Sequence, residues 1–155
     1  MLYLCSASRL RVWRGPGRLL AVEAALPRVL GDQGATHWPN LAPHLKHAQQ
    51  MQGALQRYRD LHINAEQLEA CFAWYRAHYE ARLREATVDG LRDGDTLACT
   101  CKAPWDGHFG WQQREHPCHL ELLAPWLLKS GHDVVLNGRT DYPLESERYG
   151  WPALR

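Results

Sequence analysis

The segment from Asn64 to Leu136 constrains this chain most, because helical and extended patterning alternate along it. Asn64 is a favourable N-cap, and Gln67 stands three residues on, where its side chain can complete a capping box. Leu68, Cys71, Phe72, Tyr75, Tyr79 and Leu83 then recur at three- and four-residue steps, which places them on one helical face. The spacing predicts a helix to Ala86, roughly 33 Å long at 1.5 Å per residue. Cys71 belongs to that stripe and reads as packing. A turn follows over Gly90 to Gly94, then a strand over Thr96 to Cys101 and a long loop over 102–117. A helix over Cys118 to Ser130 comes next, with Pro125 inside it and Gly131 as C-cap, and then a strand over Asp133 to Leu136. This alternation predicts an α/β protein: a single domain over 1–155 with an open, mostly parallel sheet flanked by helices, a Rossmann-like three-layer arrangement with long loops. The motif-bearing core spans about 65–137, and 138–155 reads as an irregular tail.

The first half is less patterned. Leu2 to Cys5 reads as a strand emptying into the polar loop Ser6-Ala7-Ser8-Arg9, and Gly15-Pro16-Gly17 breaks the chain. Leu19, Val22, Leu26 and Val29 have helical spacing, so Leu19 to Leu30 reads as a helix with Pro27 as a kink or stop. Thr36 to Pro43 reads as loop, and His44 to Tyr58 as a second helix.

Charge is unevenly spread. Residues 1–64 carry eight Lys/Arg against three Asp/Glu, a balance of +5, whereas 65–155 carry ten against fourteen, a balance of −4. Arg9, Arg11, Arg14 and Arg18 lie close together, a pattern suited either to a solvated basic loop or to a phosphate-bearing partner, nucleic acid included. Trp13, Trp38, Trp105, Trp111 and Trp151 stand in Pro/Gly-rich surroundings, suited to pinning loops or to stacking on a planar ligand. No apolar run is long enough to span a membrane, and the early arginines interrupt any signal-peptide core. Five irregularly spaced cysteines argue against a secreted disulfide framework, so the expected compartment is the cytoplasm.

Chemistry concentrates in Cys99-Thr100-Cys101 and His116-Pro117-Cys118-His119. Three readings stay open. In the first, Cys118 at a helix start has a lowered pKa and acts as a nucleophile, with His119 as acid/base, Cys101 nearby, and Ser6, Ser8, Arg9 and Arg11 holding an anionic ligand. In the second, Cys99, Cys101, Cys118 and His119 ligate zinc, although Cys-x-Cys is less typical of zinc than Cys-x-x-Cys. In the third, Cys99 and Cys101 are small buried hydrophobes and His119 is a satisfied helix-start residue.

Leu97-Ala98-Cys99-Thr100-Cys101 and Pro117-Cys118-His119 resemble an uncharacterised family, domain of unknown function 4326, in which a strand ends in Cys-Trp-Cys and a later Cys-His opens a helix. Phe72, Trp74, Tyr75 and Leu83, followed by Leu91-Arg92-Asp93-Gly94-Asp95-Thr96, are similar as well. A more distant likeness, at Tyr3 to Arg9 and the late Cys-His, is to domain of unknown function 488. The likeness covers about 68–137. Thr100 departs from the family's Trp, the 102–117 loop is longer, and Leu120 replaces an Arg. The resemblance implies an α/β sheet domain with a site at the cysteines, and no reaction. The resulting expectation is a protein that binds, and through Cys118 could modify, a small phosphate-bearing or nucleotide-like ligand. The alternative is a zinc-stabilised module that binds protein or nucleic acid.

Overall fold

Leu2–Ser6, Leu19–Ala21 and Thr96–Cys99 are nearly all apolar and bury both of their faces, which is the pattern of central strands in a parallel sheet. In the computed structural model, which describes residues 1–100, 119–136, 138 and 140, they form β1, β2 and β4. Thr36–His37 is β3 and Val134–Leu136 is β5. The five strands make one sheet in the order β3-β2-β4-β1-β5, and every pairing is parallel.

Period-two alternation sends side chains into two apolar layers. Leu2, Leu4, Val22, Leu97, Cys99, Val134 and Leu136 join the larger core with helices α3 (Leu45–Arg59), α4 (Ala65–Glu85) and α5 (His119–Lys129). Cys5, Leu19, Ala21 and Ala98 face a smaller core closed by the one-turn helices α1 (Leu10–Trp13) and α2 (Arg28–Gly31), through Leu10 and Leu30. The result is the predicted three-layer α/β arrangement with a fully parallel sheet. No helix among the described residues is long and apolar enough to cross a membrane.

The predicted helix over Leu19 to Leu30 is corrected: its first residues are β2, and only Arg28–Gly31 is helical. The reason is burial. Leu19, Leu20, Ala21 and Val22 are at most 2% exposed, and a strand covered on both faces shows no alternation to distinguish it from helix. Pro27 precedes α2 as its N-cap and so starts a helix where a stop was expected. The predicted loop over Thr36 to Pro43 holds β3, and Trp13 lies on α1. The strand begun at Thr96 is regular to Cys99.

The α4 stripe appears as predicted. Asn64 accepts from the Gln67 N–H at 2.8 Å and Gln67 Oε1 accepts from the Asn64 N–H at 2.9 Å, and Leu68, Phe72, Tyr75, Tyr79 and Leu83 are buried. The turn between α3 and α4 closes as a Schellman motif, in which the Leu61 N–H donates to the Tyr58 carbonyl and the His62 N–H to the Arg57 carbonyl. Leu61 occupies its left-handed position with φ 61°.

At the amino end of the sheet, Arg18 grips Asp95 through Nε–Oδ1 at 3.0 Å and Nη2–Oδ2 at 2.6 Å. Asp95 also accepts from the Arg92 N–H at 2.8 Å. Beside this pair, a Cβ on Gly17 would fall 2.7 Å from the Gly94 carbonyl carbon, so only glycine permits this approach of the two backbones. Burial pushes the Asp95 carboxyl upward, but the hydrogen bond from Arg18 and that from the Arg92 N–H outweigh it and hold the group below its ordinary value.

Two stability predictions follow from these features. Leu61 is 89% exposed and gains no packing from its conformation, so Leu61→Gly should stabilise the protein by about 1 kcal/mol in denaturant titrations. A carboxyl with a lowered folded-state pKa stabilises above its unfolded pKa, and that stabilisation is lost as pH falls through the folded value. Asp95→Asn should therefore lower the thermal midpoint at pH 7 by roughly 2–6 °C. The gap to the unsubstituted protein should narrow progressively below about pH 4.

Candidate functional site

The connections around β4 diverge at its carboxyl end. β1 runs into a 3-10 turn over Ala7–Arg9 and then α1, and β2 leads to α2, so both exits turn toward the smaller core. The next described element after β4 is α5, which lies on the opposite face. Open parallel sheets place their ligand crevices outside the carboxyl ends of strands, at such a change of side. Here the crevice has two flanks, one on each side of β4.

On the β1 flank, Ser6 pairs in register with Cys99. Ser6 is buried, and its Oγ lies 3.0 Å from the Oγ of exposed Ser8. Arg9 is half-buried, with its guanidinium carbon 5.7 Å from the centre of the Trp13 ring. The structure thus gathers Ser6, Ser8 and Arg9 at one exit, whereas Arg11 sits exposed on α1. Cys99 is fully buried in the larger core, as the buried-hydrophobe reading requires.

On the β2 flank, the Val22 N–H donates to the Ala98 carbonyl at 2.9 Å, extending the β2–β4 pairing by one residue. Glu23 Oε1 then accepts from the Thr100 N–H at 2.8 Å and from the Thr100 hydroxyl at 3.0 Å. His119, only 1% exposed, places Nε2 2.7 Å from the Val22 carbonyl oxygen. A carbonyl only accepts, so Nε2 carries the hydrogen of this bond. The ring meets Tyr79 edge-on at 5.8 Å, and the Tyr79 hydroxyl donates to the Leu41 carbonyl at 2.6 Å. Between these groups and α3 lies a cavity of about 370 Å³, lined by Glu23, Tyr75, Thr100 and His119 and, from α3, Ala48 and Gln52. Glu121, 3% exposed in the first turn of α5, adds a buried carboxylate near the positive end of that helix.

Cys101 and Cys118 lie outside the described residues, as do His116 and Trp105, Trp111 and Trp151. Of the zinc set, Cys99 and His119 are therefore the described members. Among the described residues no group of three or more His, Cys, Asp or Glu side chains could hold a metal ion. Sequence reading missed Glu23, Gln52 and Tyr75 as cavity residues. Reading Leu19–Ala21 as a strand would have placed Glu23 at the carboxyl edge.

The His119–Val22 bond separates a structural role from a chemical one. Gln can offer an N–H at nearly the position of Nε2, so His119→Gln should stay within about 1 kcal/mol of the unsubstituted protein. His119→Ala leaves a buried carbonyl unsatisfied and a void against Tyr79, and should lose about 2–4 kcal/mol in chemical denaturation. No protein-family model, no curated protein and no solved structure matches this chain, so its function is argued from the site itself.

Proposed function

We propose that this protein binds a small phosphate-bearing, nucleotide-like ligand across the carboxyl edge of its sheet. The observation that carries the reading is the change of side at β4, with hydroxyls and a guanidinium on one flank and, on the other, a half-open, mainly apolar cavity with a few polar groups in its wall. Ser6, Ser8 and Arg9 suit the phosphate end, as hydroxyl donors and a guanidinium able to pair with phosphate oxygens. The cavity suits the nucleoside end. Its volume of about 370 Å³ falls within the usual range for small-molecule sites, and Glu23, Gln52 and the Tyr75 ring offer an acceptor, an amide and an aromatic surface. The flanks are two strand spacings apart, about 10 Å, a span that a nucleoside monophosphate can cover.

Any chemical step in this reading rests on Cys118, which immediately precedes α5 in the sequence, with His119 as the adjacent acid/base. The likeness to domain of unknown function 4326 supports the placement, because that resemblance also implies a site at these cysteines.

Thermal-shift titration with nucleoside monophosphates, the matching nucleosides and inorganic phosphate tests the proposal. A monophosphate at a hundred times its Kd should raise the midpoint by roughly 5–10 °C, and either half alone should raise it less. Ser8→Asp, an exposed substitution that adds charge at the phosphate end, should remove the response to monophosphate. Absence of any monophosphate response at millimolar concentration would sink the binding proposal. Cys118→Ser with unchanged ligand response and turnover would remove the chemical step.

A further inference from the structure

A larger groove lies away from the sheet edge, along the seam of α3 and α4. Its volume is about 720 Å³, and its walls include Lys46, Gln50, Gly53 and Arg57 of α3 and Cys71 and Trp74 of α4. No lining residue carries a carboxylate. Lys46 and Arg57 are both exposed, and neither has an acidic partner among the described residues. Gly53 opens the floor in mid-helix, where a Cβ would meet only Arg57 Nη1, at 3.5 Å. A helical glycine is about 1 kcal/mol less stable than alanine, so the opening carries a folding cost.

Trp74 forms the aromatic wall and is only partly buried. Its ring meets His47 at 5.2 Å and His78 at 4.6 Å, while His47 and His78 lie 4.3 Å apart and His44 lies 5.4 Å from His47. Burial lowers the His47 pKa first, and the like charges of His78, His44 and Arg82 add to the effect. Every charged group acting on His47 is thus cationic or becomes so. The permanent charges on the groove lining are therefore those of Lys46 and Arg57.

We infer that the α3–α4 groove binds single-stranded nucleic acid, with Lys46 and Arg57 on phosphates more than one nucleotide apart and Trp74 stacking an unpaired base. The two cations are eleven residues apart on one helix, about 16 Å along its axis, so a ligand touching both must carry more than one phosphate. A flat aromatic beside His47, at the Lys46 end of the groove, suits unpaired bases, whose faces are free, and not a duplex, whose bases are stacked on each other. The amides of Gln49 and Gln50 add donors and acceptors for base edges. This site goes beyond the proposed function, because neither Lys46 nor Arg57 lines the sheet-edge cavity.

Fluorescence anisotropy with a labelled twelve-nucleotide oligothymidylate tests the inference on the full chain. Binding should be measurable at 50 mM salt and weaken about sevenfold by 200 mM, as two phosphate contacts to a single strand require. Lys46→Glu with Arg57→Glu, both at exposed positions, should weaken binding at least tenfold without shifting the thermal midpoint. Trp74→Leu should weaken it at least fivefold, whereas inorganic polyphosphate should bind the Trp74→Leu and unsubstituted proteins equally. The inference is overturned by absence of binding at 50 mM salt, by unchanged affinity in the double variant, or by an oligonucleotide affinity indifferent to Trp74→Leu. A loss here with an intact monophosphate response would leave the sheet-edge proposal standing, and the reverse pattern would leave the groove standing.

Discussion

The insertion of β4 between β1 and β2 is the constraint on which the rest of the structure depends. Thr96–Cys99 hydrogen-bonds on both edges, to residues that precede it by more than seventy positions, and it is buried on both faces. No part of that strand can be satisfied until the two earlier strands are brought together with a gap between them, so the fold is held by contacts distant in sequence. The amino end of the gap is fixed by backbone as much as by charge. The Gly17 N–H donates to the Gly94 carbonyl and the Thr96 N–H to the Arg18 carbonyl, at 2.9 and 2.8 Å, and the Arg18–Asp95 pair closes over them. A guanidinium fork on a carboxylate that is itself fully covered sets register as well as adding attraction.

The two faces of the sheet solve different problems. On one side, three long helices bury large side chains, and α4 also acts as a clamp: Tyr79 donates to the Leu41 carbonyl while Arg82 donates to the Ala42 and Pro39 carbonyls. These bonds satisfy the backbone of the short segment between β3 and α3, which has no ladder partner of its own. On the other side, two single turns suffice, because Ala21 and Ala98 leave a shallow surface that Leu10, Leu30 and the half-buried Trp13 can cover. The thin layer permits β1 and β2 to exit toward it without collision, while α5 takes the thick side. The change of side at β4 follows from this inequality.

What was legible in the sequence was what local chemistry determines. Asn64 and Gln67 carry their capping pattern in four residues, and the α4 stripe needs only its own spacing to be seen. The strand at Thr96 and the helix through Leu120–Leu127 were readable because turn residues bound them. Leu19–Ala21 was not readable, since burial on both faces removes the alternation that marks a strand, and the following Val22, Leu26 and Val29 complete a helical spacing by coincidence. That single misreading also hid Glu23. A residue assigned to a helix face has no reason to be placed beside Thr100, seventy-seven positions away. The place of Ser6, Ser8 and Arg9 at the exit of β1 was legible because the strand before them is short, apolar and followed at once by polar residues.

The polar groups at the carboxyl edge share a property that distinguishes them from those at the amino edge. Asp95 and Arg18 pair with each other, and the Arg92 N–H and the Gly90 carbonyl take up further positions on the two side chains. At the carboxyl edge, two bonds run from a side chain to a backbone group and fix the roots of connections: His119 donates to the Val22 carbonyl, and Glu23 accepts from the Thr100 N–H. Each bond fixes the direction of the whole side chain, so the His119 ring and the second Glu23 oxygen are oriented by the bond already made. A group anchored through one atom and directed through another loses little freedom when it meets a ligand, which reduces the ordering cost of binding. The bonds that close the fold at this edge are therefore also the ones that would preorganise it for the proposed ligand.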